Sequence, residues 1–292
     1  MASSNMTVST ADKHIPDVFM TDVLSAEEFK IEIANRVDRS WEFKGFGDTY
    51  RKARIPNLTV ETKSAGSDLT PKAYTDTEQT ISINVHQGTA FAVENIVNVL
   101  NNHDLKGKMT GKIGYAFARA TDVNLAALFA SFSQSVGNLG VELTFDNLLR
   151  AVQYLDDSGY GMENATWFFS PAQRIALHKM DSFTHASYRG EGDAAKSSKS
   201  GDIQMFMGAP IVKSNLITSP ASGQHDNGLV SKSSIALIVA LDTKIWNESV
   251  ALGLKEVVAA EKIYGYSEVD RYSETPENIT ATDEAVVWLK GV

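Results

Sequence analysis

The sequence predicts an α+β fold: a mixed body built around one long helix, with a polar two-stranded hairpin reaching out of it. Three stretches predict this. LKGKMTGKIGYAFARATDVNLAALFASFSQ, residues 105–134, keeps apolar residues three or four apart over its length. EQTISINVHQ alternates Ile81, Ile83 and Val85 with Ser82, Asn84 and His86, a period-two strand. TFDNLLRAVQYLDDSG, ATWFFS and SPAQRIALHKM then give helix, strand and helix in quick succession.

Residues 1–41 read as a polar arm ending in a short amphipathic helix. In SAEEFKIEIANRV, Ser25 is the N-cap, Glu28 stands at capping-box spacing, and Phe29, Ile31, Ile33 and Val37 form an imperfect stripe. Residues 46–86 follow as a long hairpin. FGDTYRKARIPNLTV leads out and EQTISINVHQ leads back. KSAGSDLTPKAYTDTE between them has the Gly, Pro, Ser, Thr and Asp of turns and loops.

In the long helix, Met109, Ile113, Phe117, Ala120, Asn124, Ala127 and Ser131 share one face, with Ala116, Val123 and Leu128 beside it. Lys106, Lys108, Lys112 and Arg119 decorate the rest. At about 1.5 Å per residue, roughly 25 residues span close to 40 Å. Gly111 and Gly114 weaken its start by up to about 1 kcal/mol each. The next helix has Thr144 as N-cap, an apolar stripe through Leu148, Val152 and Leu155, and Gly159 past its end. ATWFFS is a buried strand. Ser170 caps the helix after it, with Pro171 in first position. Residues 186–202 are a Gly/Ser/Lys loop. APIVKSNLI, SSIALIVAL, LKEVVAAEKIYGYSEVDRY and AVVWLKG read as strands. There is no internal repeat.

The bulk composition narrows the function. With 292 residues, 43% hydrophobic and 22% charged, the chain can bury a core without covalent staples. It has no cysteine, which removes disulfides and thiolate zinc sites. A net charge of −9 argues against gripping nucleic acid over the whole surface. The charge is uneven, however. Residues 30–54 hold seven Lys/Arg against four acids, and residues 250–292 hold four against eight. Such faces either meet between copies or are plain solvated surface. The N-terminus lacks a signal-peptide core, and no run reaches the ~18 apolar residues of a bilayer span. Without a secretion signal, the five N-x-S/T sequons at Asn5, Asn57, Asn164, Asn247 and Asn278 read as coincidence.

Enzyme signatures are missing. The chain has no G-x-S-x-G, S-x-x-K, H-E-x-x-H or phosphate-loop motif. Gly190-x-Gly192-x-x-Ala195 matches a dinucleotide pattern only loosely, because no strand precedes it and no apolar helix follows. His178, Asp181 and His185 would share a face, as metal ligands must, if the helix from Pro171 continued. Ser182 and Thr184 fit a helix end better, which favours a capped surface helix. Asp156 and Asp157 are adjacent and project apart, so they are a poor acid–base pair.

The order of the pieces carries a resemblance. GDTYRKARIPNLTVETKSAGSDLTP, TEQTISINVHQGTAFAVENIVN and LKGKMTGKIGYAFARATDVNLAALF follow one another as in the major capsid proteins of tailed bacteriophages. LLRAVQYLDDSGYGMENATWFFSPAQRIAL is similar to that family's helix, strand ending in Ser-Pro, and helix. MFMGAPIVKSNLI is similar to its Gly-x-Pro-Val-x-x-Ser-Asn strand, and ALIVALDTKIW and KIYGYSEVD follow in order. The resemblance covers about residues 30–292.

It implies the HK97-like capsid fold. Residues 1–45 would be an N-terminal arm and 46–86 the extended loop. Residues 87–140 would be the peripheral domain with its spine helix, 141–250 the axial domain, and 251–292 the return strands of the peripheral domain. It implies a structural protein, with no enzymatic activity and no cofactor. Pentamers and hexamers would build an icosahedral head enclosing double-stranded DNA, contacted without sequence specificity. Assembly would take place in the bacterial host cytoplasm, and the protein would reside in the virion. With the extended loop starting near residue 46, a separate scaffolding protein, or none, is expected. A portal protein is implied, a decoration protein is a further candidate partner, and no membrane is involved. Arg51, Lys52, Arg54, Lys63 and Lys72 are the candidate inter-subunit cations, and Glu268, Asp270, Glu274 and Glu277 their candidate acidic partners on an adjacent copy. An encapsulin-like compartment shell is the alternative of the same fold. A monomeric α/β hydrolase or transferase is the alternative of another class, and its convergent catalytic groups are not found.

Overall fold

The structure, a computed structural model, describes residues 31–41, 47–54, 60–69, 71, 77–96, 105–184, 203–217, 223–269 and 285–291. Ser25, Glu28 and Phe29 of the expected first helix and the expected loop 186–202 lie outside these residues.

Three sheets organise the described residues. The hairpin pairs β1 (Thr49–Arg54) with β2 (Thr77–Ser82), antiparallel, from Thr49 opposite Ser82 to Arg54 opposite Thr77. A three-stranded antiparallel sheet has the order β3 (Val85–Glu94), β10 (Lys255–Glu268), β9 (Ile235–Val250). A six-stranded mixed sheet has the order β4 (Ser135–Gly137), β11 (Val286–Gly291), β8 (His225–Ser231), β5 (Ala165–Phe169), β7 (Ala209–Lys213), β6 (Met205–Phe206). The tail residues 251–292 thus divide between two sheets, β10 in one and β11 in the other.

The expected strand EQTISINVHQ is split. β2 ends at Ser82 and β3 begins at Val85, in a different sheet. At the break, the Ile83 N–H donates to Asp48 O at 2.7 Å, and Ile81 and Ile83 point into the core. Gly265 of β10 lies beneath this crossing. A Cβ there would stand 2.4 Å from Ser82 O, so the approach needs glycine.

The long helix is α1 (Leu105–Ala127), continued by a 3-10 turn at Leu128–Ser131. Ile113 and Phe117 of the expected stripe pack on Phe91, Val258 and Ala260 of the three-stranded sheet. Beyond them the buried positions are Thr121, Asp122, Leu125, Ala126 and Phe129, whereas Ala127 and Ser131 of the expected stripe are exposed. The contact face turns because this half of the helix meets Ile33, Ala34, Val37, Ile235 and Leu237.

Residues 31–41 do not continue the expected amphipathic helix. They form a strap with one 3-10 turn at Ile33–Asn35. Its apolar residues are core residues: Ile33, Ala34 and Val37 are buried. Asp38 makes a parallel bridge to Ala236 at the start of β9.

The second half follows its local chemistry. α2 (Phe145–Asp157) is capped by Thr144, whose hydroxyl accepts the Asn147 N–H at 3.3 Å. α3 (Pro171–Leu177) is capped by Ser170, whose hydroxyl accepts the Gln173 N–H at 3.1 Å. Leu148, Val152 and Leu155 are buried, and Gly159 takes φ +77° past the end of α2. The chain then turns before α4 (Asp181–Thr184), so α3 does not carry His178 and Asp181 on one helix. His185 lies outside the described residues.

β5 is buried at every position and serves both faces of its sheet. Trp167 and Phe169 enter a core with Leu148, Leu155 and Leu177, while Phe168 enters another with Phe129, Leu125 and Tyr264. Each such side chain contributes about 1.5–3 kcal/mol on leaving water.

Candidate inter-subunit surface

Among the described residues, the hairpin is anchored at its root. Ile81 and Ile83 sit in a small core with Ala236, Ile238 and Val269, and the Gln79 side-chain amide donates to the Glu268 carbonyl at 3.2 Å. Trp41 and Tyr50 pack against the same core. Beyond this root the described residues 60–69 are all exposed, Val60 at 99% and Leu69 at 57%. An apolar side chain held so fully in water gains nothing within one chain.

The candidate cations distribute along this ribbon. Arg51 on β1 meets Glu78 on β2 at 3.3 Å. The Lys52 ammonium stands over the Trp41 ring, 4.8 Å from its centre. Arg54 ends the ladder opposite Thr77, and Lys63 is exposed on the apical stretch. Of the acids, Glu268 ends β10 beside the hairpin root. Lys72, Asp270, Glu274 and Glu277 lie outside the described residues.

The pattern reading missed a buried polar knot that joins strap, helix and sheet. One carboxylate oxygen of Asp122 accepts the backbone N–H groups of Glu32 (2.9 Å) and Ile33 (3.0 Å), and the other accepts that of Ala34 (2.8 Å). Burial raises the Asp122 pKa above the usual carboxylate value, although the three N–H donors and Arg39 pull it down. Lys262, nearly buried on β10, donates to the Thr121 hydroxyl at 3.1 Å, and burial lowers its pKa against the attraction of Asp242. The Tyr264 hydroxyl receives the Asn124 amide at 2.7 Å and reaches Gln87 at 3.3 Å, and burial raises its pKa. A trace of this was present in the sequence. Lys262 falls on the inward beat of Val258, Ala260 and Tyr264, and Asp122 sits among the small and apolar residues of the helix.

Two open clefts flank these elements. One, of about 320 Å³, lies between the strap and the six-stranded sheet and includes Arg36, Glu163, Thr166 and Lys232. The other, of about 410 Å³, lies along α1 at Tyr115, Ala116, Arg119, Ala120, Val123 and Asn124. Neither brings a nucleophile together with a base. Among the described residues no group of three or more His, Cys, Asp or Glu could hold a metal ion, and no helix is long and apolar enough to cross a membrane. Lys108, Lys112 and Arg119 of α1 are exposed.

No family model and no curated protein matches the chain. Solved structures do. A structure of Mycobacterium phage Che8 superposes with TM-score 0.77 at 21% identity, covering 94% of this chain and 96% of that one. The head structure of Helicobacter pylori bacteriophage KHP40 gives TM-score 0.76 at 13% identity, covering 100% and 99%. The capsid structure of cyanophage P-SCSP1u gives TM-score 0.75 at 18% identity, covering 96% and 93%. The chain has the phage-capsid fold. It is the HK97-like α+β arrangement that the order of the sequence pieces implies. The match spans nearly the whole chain, so the capsid fold accounts for the hairpin, the long helix and both larger sheets together.

Proposed function

We propose that this chain is the major capsid protein of a tailed bacteriophage, a structural protein without enzymatic activity. It assembles into pentamers and hexamers of an icosahedral head around double-stranded DNA. The observation that carries this reading is the exposed hairpin on a capsid fold matched end to end. A two-stranded ribbon is marginal in water by itself, and a neighbouring copy supplies the missing face. Closed rings of identical subunits let one surface serve every member.

At the boundary, Arg51, Lys52, Arg54, Lys63 and Lys72 meet Glu268, Asp270, Glu274 and Glu277 of the neighbouring copy. Exposed pairs contribute under about 1 kcal/mol each, and ring closure adds them up. Arg51 and Lys52 already have contacts within the chain. The exposed lysines of α1 give weak, sequence-independent contact with DNA, and the net charge of −9 keeps the packaged genome from being trapped. A separate scaffolding protein and a portal protein complete assembly in the host cytoplasm, and a decoration protein is a further candidate partner.

The test is electron microscopy with light scattering on the purified chain, alone and co-expressed with the neighbouring genes. Rings or shells are expected. A particle of 31.8 kDa under every condition overturns the proposal. Nuclease-protected DNA inside native shells distinguishes a phage head from an encapsulin-like compartment, and phage structures among the neighbours favour the head.

A further inference from the structure

The hairpin leaves the body through two roots, and they differ in kind. The β2 root is packed core: Ile81, Ile83 and the Gln79 bond to Glu268. The β1 root, apart from Tyr50 in the same core, rests on Trp41. The Trp41 ring meets Tyr50 edge-on, with centroids 5.4 Å apart and planes at 71°, and it lies under the Lys52 ammonium. Tyr50 and Lys52 are both on β1.

Trp41 is itself held by the strap. Its indole N–H donates to the Asp38 carboxylate at 3.0 Å. Asp38 is fixed at its backbone, where its N–H donates to Ile235 O and its carbonyl accepts the Leu237 N–H, each at 2.9 Å. Its other carboxylate oxygen accepts the Ser40 N–H at 2.8 Å. Four residues upstream the strap is seated on α1 through the three N–H bonds to Asp122. A continuous series of contacts therefore runs from Asp122 through residues 32–38 and Trp41 to Tyr50 and Lys52. Among the described residues, no regular strand pairing ties the strap to β1. The contacts between the strap and β1 among these residues run through the Trp41 side chain, which meets Tyr50 and Lys52.

The geometry points to Trp41 as the positioning residue through which the N-terminal strap, seated on Asp122, sets the direction of the β1–β2 hairpin. With the strap seated, the hairpin is braced on both strands. With the strap lifted, the β1 side keeps Tyr50 in the small core but loses the ring that braces it, and the apical stretch sweeps a wider cone. The coupling lies within one chain and does not rest on the proposed function.

The chain has no cysteine, so introduced thiols can be labelled cleanly. Spin labels at Ala65→Cys on the apical stretch and Gln153→Cys on the exposed face of α2 report hairpin direction in the full chain. In the parent a narrow distance distribution is expected. Trp41→Ala broadens it about twofold without a matching loss in global melting temperature. Trp41→Phe, which keeps a ring against Tyr50, restores most of it. Asp122→Asn, far from the hairpin, broadens it in the same direction. An unchanged distribution in Trp41→Ala overturns the inference. So does broadening in Trp41→Ala with none in Asp122→Asn, because Trp41 would then act locally. If Trp41→Ala does not fold, Trp41→Leu keeps apolar bulk, removes the ring and N–H, and is read the same way.

Discussion

Asp122 and Ala34 stand 88 positions apart in the chain, and the carboxylate of the first accepts the backbone N–H of the second at 2.8 Å. With Glu32 and Ile33 making the same bond, one side chain satisfies three consecutive backbone donors of a segment with no ladder of its own there. Replacing Asp122 with Ala takes the acceptor from the buried Ile33 and Ala34 donors, or lifts the strap and exposes Ile33 and Val37. Either route costs about 2–4 kcal/mol. Urea unfolding should show the loss, and limited proteolysis should cut within residues 31–41 sooner than in the parent.

Gly265→Ala tests the crossing of the hairpin root over β10. The new methyl would meet backbone, Ser82 O at 2.4 Å and Ile83 Cα at 3.0 Å, and backbone cannot step aside as a side-chain tip can. A destabilisation of about 2 kcal/mol or more is expected, read as a lower midpoint in thermal or urea unfolding.

Lys262 gives stability a pH dependence of known sign. Burial lowers its folded pKa below the unfolded value of 10.5, so the folded state binds fewer protons between those two values. The cost of burying its charge is fully present below the folded pKa and is relieved as pH rises toward 10.5. Lys262→Met has no such group. Urea midpoints from neutral to alkaline pH should show the parent gaining on Lys262→Met through that window. Parallel curves would contradict the burial of this ammonium.

The proposed boundary contacts are electrostatic and so depend on salt. Lys52→Glu combined with Arg54→Glu should weaken assembly and flatten its dependence on ionic strength, measured by light scattering across a salt series. Unchanged assembly and unchanged salt dependence would remove these residues from the boundary.

What could be read in the sequence followed from local rules. Thr144 and Ser170 cap the helices they precede, ATWFFS is a buried strand, and α1 runs through the longest periodic stretch, because caps and periodicity need only neighbouring residues. The misreadings share one cause, a distant partner. The strap near Ile33 looked helical because its apolar spacing allowed it, but Asp122 takes the N–H groups. EQTISINVHQ looked like one strand because its alternation is unbroken, but Asp48 and Gly265 meet it midway and divide it between two sheets. The helix face drifted because its second half answers to the strap. Of the boundary residues, only their basic and acidic character was legible. Trp41 gave no signal at all, since a lone tryptophan in a polar arm has no period to belong to.

The alternation of Trp167, Phe168 and Phe169 across β5 has a thermal consequence. Because one strand feeds the interior on both of its sides, heat cannot melt either side while the other survives. The body should lose its structure in a single calorimetric step. The exposed residues 60–69 of the ribbon lend nothing to either interior, so this stretch can fray long before that step without warning the rest of the molecule.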